Sequence, residues 1–248
     1  MTGLLLALLL GAAPFVRADE PPAPADSVAA PLEEHFPVVL GSFTTTLAGS
    51  RPERTSNVRL AAEALDGVVL EPGQVFSFDA VVGPRTLERG YQRAPVILHE
   101  TRQLMTGGGV CQNASTLFVA GLLAGLTPVE RWRHTVPVDY IAFGEDATIS
   151  WGAKDLKLRN DTGQRVRVRC FVRGATLNAR FEGEEPSPDL FELVTEEREL
   201  PADPGVEDAQ PGREIELYRV RTDAQGGESR EFLHRDTYPP TRGASGGQ

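Results

Sequence analysis

Helical periodicity is confined to two stretches of this sequence, and most of the rest consists of short β-branched segments punctuated by glycine and proline. That pattern constrains the chain to an α+β fold, an antiparallel sheet carrying two helices. The first helix is expected from about Ser56 to Asp66, with Leu60, Ala61, Ala64 and Leu65 on one face and Gly67 ending it. The second is expected from about Cys111 to Ala124, with Ala114, Leu117, Phe118, Gly121 and Leu122 on one face. Val38 to Leu47 reads as strand. Val68–Leu70 and Val75–Phe78 flank Glu71-Pro72-Gly73-Gln74, a turn signal that predicts a hairpin. Thr135–Ile141 and Ala147–Trp151 read as strands around a turn at Gly144, and Val166–Phe171 pairs with Thr176–Phe181 across Gly174.

Charge divides the chain. Residues 151–180 hold eight Lys or Arg against two acids, whereas 182–214 hold twelve acids against two Arg. Cross-strand pairing or two solvated faces would both account for it. The organisation expected is a main domain over 38–183, an acidic linker over 184–211 and a small β-hairpin extension over 212–240, ending in a frayed tail. The net charge of -10 argues against a partner of nucleic acid, which needs a basic footprint.

At the start, Leu4 to Ala13 is apolar but too short to span a bilayer. It has the length of a signal-peptide core, so residues 1–18 are expected to be a cleaved signal, with 19–37 a Pro/Ala-rich linker. The mature chain is then exported, with no transmembrane segment after signal cleavage.

The stretch with chemical content is Thr106-Gly107-Gly108-Gly109-Val110-Cys111-Gln112. Gly107, Gly108 and Gly109 let the backbone turn sharply and could present main-chain N–H groups to a ligand. Cys111 falls in the first turn of the predicted helix, where the helix dipole favours a thiolate. Gln112 could offer its amide to an oxyanion. His134 and Asp146 follow, one on each of two predicted strands. A nucleophile, a base and an orienting carboxylate in this order is the layout of a Cys-His-Asp hydrolase or acyl transferase. The plainer alternative makes Cys111 a small buried residue and the glycines a packing device.

The other candidates are weaker. Cys170 alternates with Val166 and Val168, so it reads as a core residue; a Cys111–Cys170 disulfide is the competing arrangement. Glu130-Arg131 beside His134 suits an ion pair or substrate binding equally. His35, His99 and His234 read as solvent-facing, and Trp132, Trp151, Tyr140 and Phe143 could line a groove. No spacing supports a metal site, and no cofactor is expected.

From Leu40 to about Val172 the sequence resembles the VanW family of bacterial envelope proteins. The pieces that carry the resemblance are LGSFTT, NVRLAAEALDGVVLEPGQVFSF, VGPRT, GGGVCQ, AGLTPVERWRH, VDY, GEDATI and DLKLRN. The family takes its name from a gene accompanying glycopeptide-resistance clusters, so the resemblance implies an exported, envelope-associated protein. A second resemblance, to the transglutaminase-like cysteine protease core, rests on Gly-Val-Cys-Gln, a helix ending in Ala-Gly-Leu, then His and Asp. It departs from that core in having Val136 two residues after the histidine, and no Pro-Thr near Asp146. By position it implies Cys111 as nucleophile, His134 as base and Asp146 as its orienter. The function expected is thiol-dependent acyl transfer or amide hydrolysis on peptidoglycan-type peptide. The alternatives are a non-catalytic module binding a cell-wall peptide or envelope component, and a structural envelope protein with the disulfide.

Overall fold

One helix is buried on all sides in a fold built, among the described residues, from four small sheets. The structure, a computed structural model, describes residues 35–98, 101–202, 204–205 and 209–240. The expected signal and most of the first linker, His99, and the expected frayed end lie outside the described residues. In chain order the elements are β1 (Val38–Thr46), α1 (Pro52–Leu65), β2 (Val69–Leu70), β3 (Val75–Ser77), α2 (Phe78–Val82), β4 (Arg93–Leu98), β5 (Thr101–Thr106) and α3 (Cys111–Leu123). There follow β6 (Thr127–Glu130), β7 (Lys157–Arg159), β8 (Val166–Arg173), β9 (Thr176–Gly183), β10 (Leu190–Leu200), β11 (Gly212–Thr222) and β12 (Glu228–Tyr238). No helix among the described residues is long and apolar enough to cross a membrane.

The fold is α+β with every strand pair antiparallel. The main sheet runs β1-β9-β8-β2, a second runs β3-β7-β6, β4-β5 is a separate hairpin, and β10-β11-β12 forms a C-terminal sheet. Alternation on β8 and β9 works as the sequence predicts. Val166, Val168 and Cys170 are buried together with Leu177, Ala179 and Phe181 against α1 and α3.

Helix α3 differs from its expected single apolar face, since all residues from Gln112 to Leu122 are buried. A helix buried all round must satisfy its polar side chains internally. Thr116 does so by donating to the Gln112 carbonyl at 2.7 Å, and Asn113 donates to the Val58 carbonyl at 3.0 Å. Gly41 on β1 lets the end of α3 lie directly on the strand, because a Cβ there would meet the Ala120 carbonyl oxygen at 2.7 Å.

Several expectations are corrected. Helix α1 starts a turn earlier than expected, because Pro52 at its first position fixes a helical φ. The 68–78 hairpin does not form: β2 pairs with β8 and β3 with β7. The turn still closes, with the Gln74 N–H donating to the Glu71 carbonyl at 3.0 Å. Buried Asn160 sits beyond it, accepting the Gly73 N–H and donating through Nδ2 to the Leu70 carbonyl. That bonding sends the two arms into different sheets. The segments 135–141 and 147–151 are not strands but parts of a long irregular loop between β6 and β7. The stretch expected as acidic linker contains β10, so the C-terminal piece is a three-stranded sheet rather than a hairpin. Its acids lie opposite arginines, as in Arg213–Glu197 and Arg230–Glu196, which offsets the charge that read as linker.

Candidate active site

The turn Gly107-Gly108-Gly109 leads through Val110, the cap residue, into α3, which begins at Cys111. Gly109 has φ +103°, and a Cβ there would meet the Arg54 Cγ at 2.7 Å, so both backbone sign and space require glycine. The turn is packed tightly. The Gly107 N–H donates to the Gln92 carbonyl and the Gly108 N–H to the Met105 carbonyl, so neither is open to a ligand. Among the described residues no backbone acceptor takes the N–H of Gly109 or of Cys111.

Cys111 is half-buried, with Sγ 3.5 Å from Thr148 Oγ1 and 3.7 Å from the Ile149 carbonyl. His134 reaches the same place from the β6–β7 loop. Its Nδ1 lies 2.6 Å from Asp146 Oδ2, and its backbone N–H donates to that same oxygen at 2.6 Å. One carboxylate oxygen therefore fixes both the backbone and the ring, leaving Nε2 for the thiol. Tyr140 meets the imidazole edge-on at 6.5 Å between centroids.

The protonation states follow from these neighbours. Burial raises the Cys111 thiol, but the hydrogen bond and charge of His134, helped by Thr148, outweigh it and bring the thiol down to about 7. Burial lowers His134, yet Asp146 and the Cys111 thiolate carry it up to about 9. Between those values the favoured state is a thiolate–imidazolium pair. Asp146 is pushed up by burial, but the His134 hydrogen bond and the Arg131 charge hold it below the usual carboxylate range.

The sequence marks Arg131 for an ion pair or substrate binding but does not name its partner, which is Asp146. Arg131 Nε donates to the Asp146 carbonyl at 2.6 Å and Nη2 to its Oδ1 at 2.8 Å. Its other nitrogen, Nη1, donates to Asp236 on β12 at 2.8 Å. Tyr238 donates its hydroxyl to Asp146 Oδ1 at 3.3 Å. On the other side, Ser115 Oγ of α3 accepts the Ala147 N–H at 2.9 Å. The loop is irregular in backbone but pinned at Asp146 from β12 and from within itself, and at the next residue, Ala147, from α3.

Cys111, His134 and Asp146 are thus brought together, with His134 and Asp146 on a loop rather than on strands. Gln112 is not. It is fully buried, its Nε2 donates to Thr45 Oγ1 and the Thr46 carbonyl, and its Oε1 accepts from Arg54 Nη2 at 2.7 Å. Both amide hydrogens are committed, so it has none for an oxyanion. The disulfide is also corrected, for both cysteines are free. Residues 111 and 113 point about 200° apart around a helix, and Asn113, not Cys111, faces Cys170. Burial pushes the Cys170 thiol up to about 12.

The remaining candidates separate. His35 is exposed, but His234 is part-buried, with Nε2 2.9 Å from the Gly144 carbonyl and its ring on Phe118. Glu130 pairs with Lys157. The four aromatics do not share one groove. Trp151 borders a cleft of about 350 Å³ with Asp79, Glu130 and Lys154, whereas Phe143 packs on Tyr238. Among the described residues no cluster of His, Cys, Asp and Glu is arranged to hold a metal ion.

A family model described as "VanW like protein" matches residues 53–181. The chain is 41% identical over 138 residues to the uncharacterized protein YoaR of Bacillus subtilis, covering 56% of this chain and 46% of that protein. It is 38% identical over 111 residues to the vancomycin B-type resistance protein VanW of Enterococcus faecalis, covering 43% and 40% respectively. The chain therefore spans less than half the length of these curated relatives. No solved structure matches it.

Proposed function

The chain belongs to the VanW family, and from that premise we propose that it is an exported envelope protein using Cys111 for acyl transfer or amide hydrolysis on peptidoglycan-type peptide. The observation that carries this reading is the 2.6 Å grip of Asp146 on His134 Nδ1, with the imidazole turned to a half-buried thiol drawn down to about 7. A thiol that was merely packed would be raised by burial, as Cys170 is. The apolar run Leu4 to Ala13 supports export.

In the reaction proposed, the Cys111 thiolate attacks the amide carbonyl carbon and forms a carbon–sulfur bond. The His134 imidazolium gives its proton to the departing amine nitrogen as the carbon–nitrogen bond breaks, leaving a thioester. Water then attacks, or a second amine does; His134 takes the proton, and the carboxylic acid or new amide leaves with the thiolate restored. Asp146 keeps the imidazole oriented and stabilises its charge. With Gln112 committed elsewhere, the oxyanion donors are the N–H of Cys111 at the first turn of α3 and that of Gly109.

The test measures thiol alkylation by iodoacetamide against pH and incubates the protein with peptidoglycan fragments, with Cys111→Ala as control. The expected result is an alkylation midpoint near 7 and fragment conversion lost in the variant. A midpoint near the free-thiol value of ~8.5, with no Cys111-dependent conversion, would overturn the proposal.

A further inference from the structure

The end of β12 turns three residues inward from an otherwise exposed strand, and all three meet the loop that carries His134 and Asp146. His234 meets the Gly144 carbonyl through Nε2, Asp236 pairs with Arg131, and Tyr238 donates to Asp146. Alternation at positions 234, 236 and 238 puts them on one face of the strand. Asp236 is 5% and Tyr238 6% exposed, although residues 228–232 of the same strand are exposed. Arg131 lies between two buried carboxylates, 2.8 Å from Asp146 and 2.7 Å from Asp236. A guanidinium held by Asp146 alone could swing away, whereas two opposed carboxylates fix it and the loop together. These residues of β12 lie beyond the stretch 53–181 that matches the family model.

We propose that β12 is a positioning element of the active site, in which Asp236, acting through Arg131, and Tyr238, acting directly, hold Asp146 on His134. This rests on the Cys111–His134–Asp146 reading. Besides those three residues, the titratable and charged groups facing the cluster are Tyr140, Arg131 and Arg133 from the loop, Arg54 from α1, and His234, Asp236 and Tyr238 from β12; Arg133 donates to the His134 carbonyl and lies over the Tyr238 ring. Removing the anion of Asp236 takes negative charge away from the imidazolium and leaves Arg131 to neutralise Asp146 alone. His134 must then lose its proton at lower pH. Removing the Tyr238 hydroxyl does the opposite, because it takes a donor from Asp146 and leaves more of its charge to His134.

The experiment follows the side-chain nitrogens of His134 by NMR against pH in the full chain labelled with 15N-histidine. Asp236→Asn should lower the His134 midpoint by roughly 0.5–1 pH unit. Asp236→Glu, which keeps the charge, should largely restore it, and Tyr238→Phe should move it slightly upward. Loss of packing alone would shift both variants in the same direction. Should Asp236→Asn fail to fold, Tyr238→Phe, which removes one hydroxyl, carries the test by the sign of its shift. A raised wild-type midpoint that Asp236→Asn leaves in place, or same-direction shifts in the two variants, overturns the positioning role alone. A wild-type midpoint at the ordinary imidazole value overturns the catalytic reading, and this role with it.

Discussion

Replacing His134 by glutamine tests the thiolate directly, because the imidazole is what opposes burial at Cys111. In the wild type the thiol lies near 7, so about half of it is thiolate at pH 7. Without His134, burial is countered only by the Ile149 backbone and, after it, Thr148 at 3.5 Å, and the thiol should return to about 9 or above. The thiolate fraction at pH 7 then falls to about 1%, a drop of roughly 50-fold. A more basic thiolate is also a better nucleophile, and a Brønsted slope of ~0.4–0.5 over two pH units returns about 6- to 10-fold. The net loss in alkylation rate at pH 7 is therefore only about 5- to 8-fold, and a single-pH assay would understate the change. The full profile is decisive. The two curves should cross near pH ~8, with the wild type faster below and the variant faster above. Iodoacetamide labelling of Cys111, followed by peptide mass spectrometry between pH 5 and pH 10, reads this out. A variant midpoint that stays near 7, or curves that never cross, would refute the assignment of His134 as the group that stabilises the thiolate.

The other cysteine supplies an internal control: with Cys170 buried and its thiol pushed up to about 12, native protein should take one label and denatured protein two. Two labels under native conditions would contradict the packing of β8 against α1. Gln112→Ala should cost about 2–4 kcal/mol, because it removes three hydrogen bonds at once, to Arg54, Thr45 and the Thr46 carbonyl. It should lower the melting temperature by roughly 5–15 °C while leaving the Cys111 alkylation midpoint in place; a moved midpoint would return Gln112 to the chemistry. Asp146 should make stability acid-sensitive. Its folded pKa lies below its unfolded value of ~3.9, so its contribution is complete above that pH and lost as pH falls through the folded value. Asp146→Asn should remove that part of the decline in thermal melts between pH 5 and pH 2, and parallel wild-type and variant curves would argue against the grip on His134.

Local pattern was enough where neighbours in sequence are neighbours in space. The β8–β9 pair follows from Val166, Val168 and Cys170 alternating across Gly174, and the start of α3 at Cys111 follows from the glycines before it. It failed where a distant residue decides the outcome. Thr135 to Ile141 has the β-branched composition of a strand but pairs with none, and the loop around it is fixed by the N–H groups of His134, Ala147 and Thr148, which donate to Asp146, Ser115 and Trp132. In the same way Asn160, ninety residues after Leu70, separates the arms that Pro72-Gly73 would otherwise join as a hairpin.

For the site, residue order disclosed the three reacting groups but not the shell that orients them. Gln112 illustrates the limit: adjacency to Cys111 on a helix puts its side chain about 100° away, toward Thr45 and Arg54, so being next in sequence argued against sharing the thiol's pocket. The signal for the missed residues was present in another form. His234, Asp236 and Tyr238 alternate on a strand whose preceding residues are charged and exposed, and a polar face turned inward requires a polar surface to meet. That surface is the loop holding His134. The position of a buried polar stripe thus says where a site is braced, while the residue types at a helix start say where its chemistry begins. In this chain the stripe begins 123 residues after Cys111, and Arg131 ties it to Asp146 of the site.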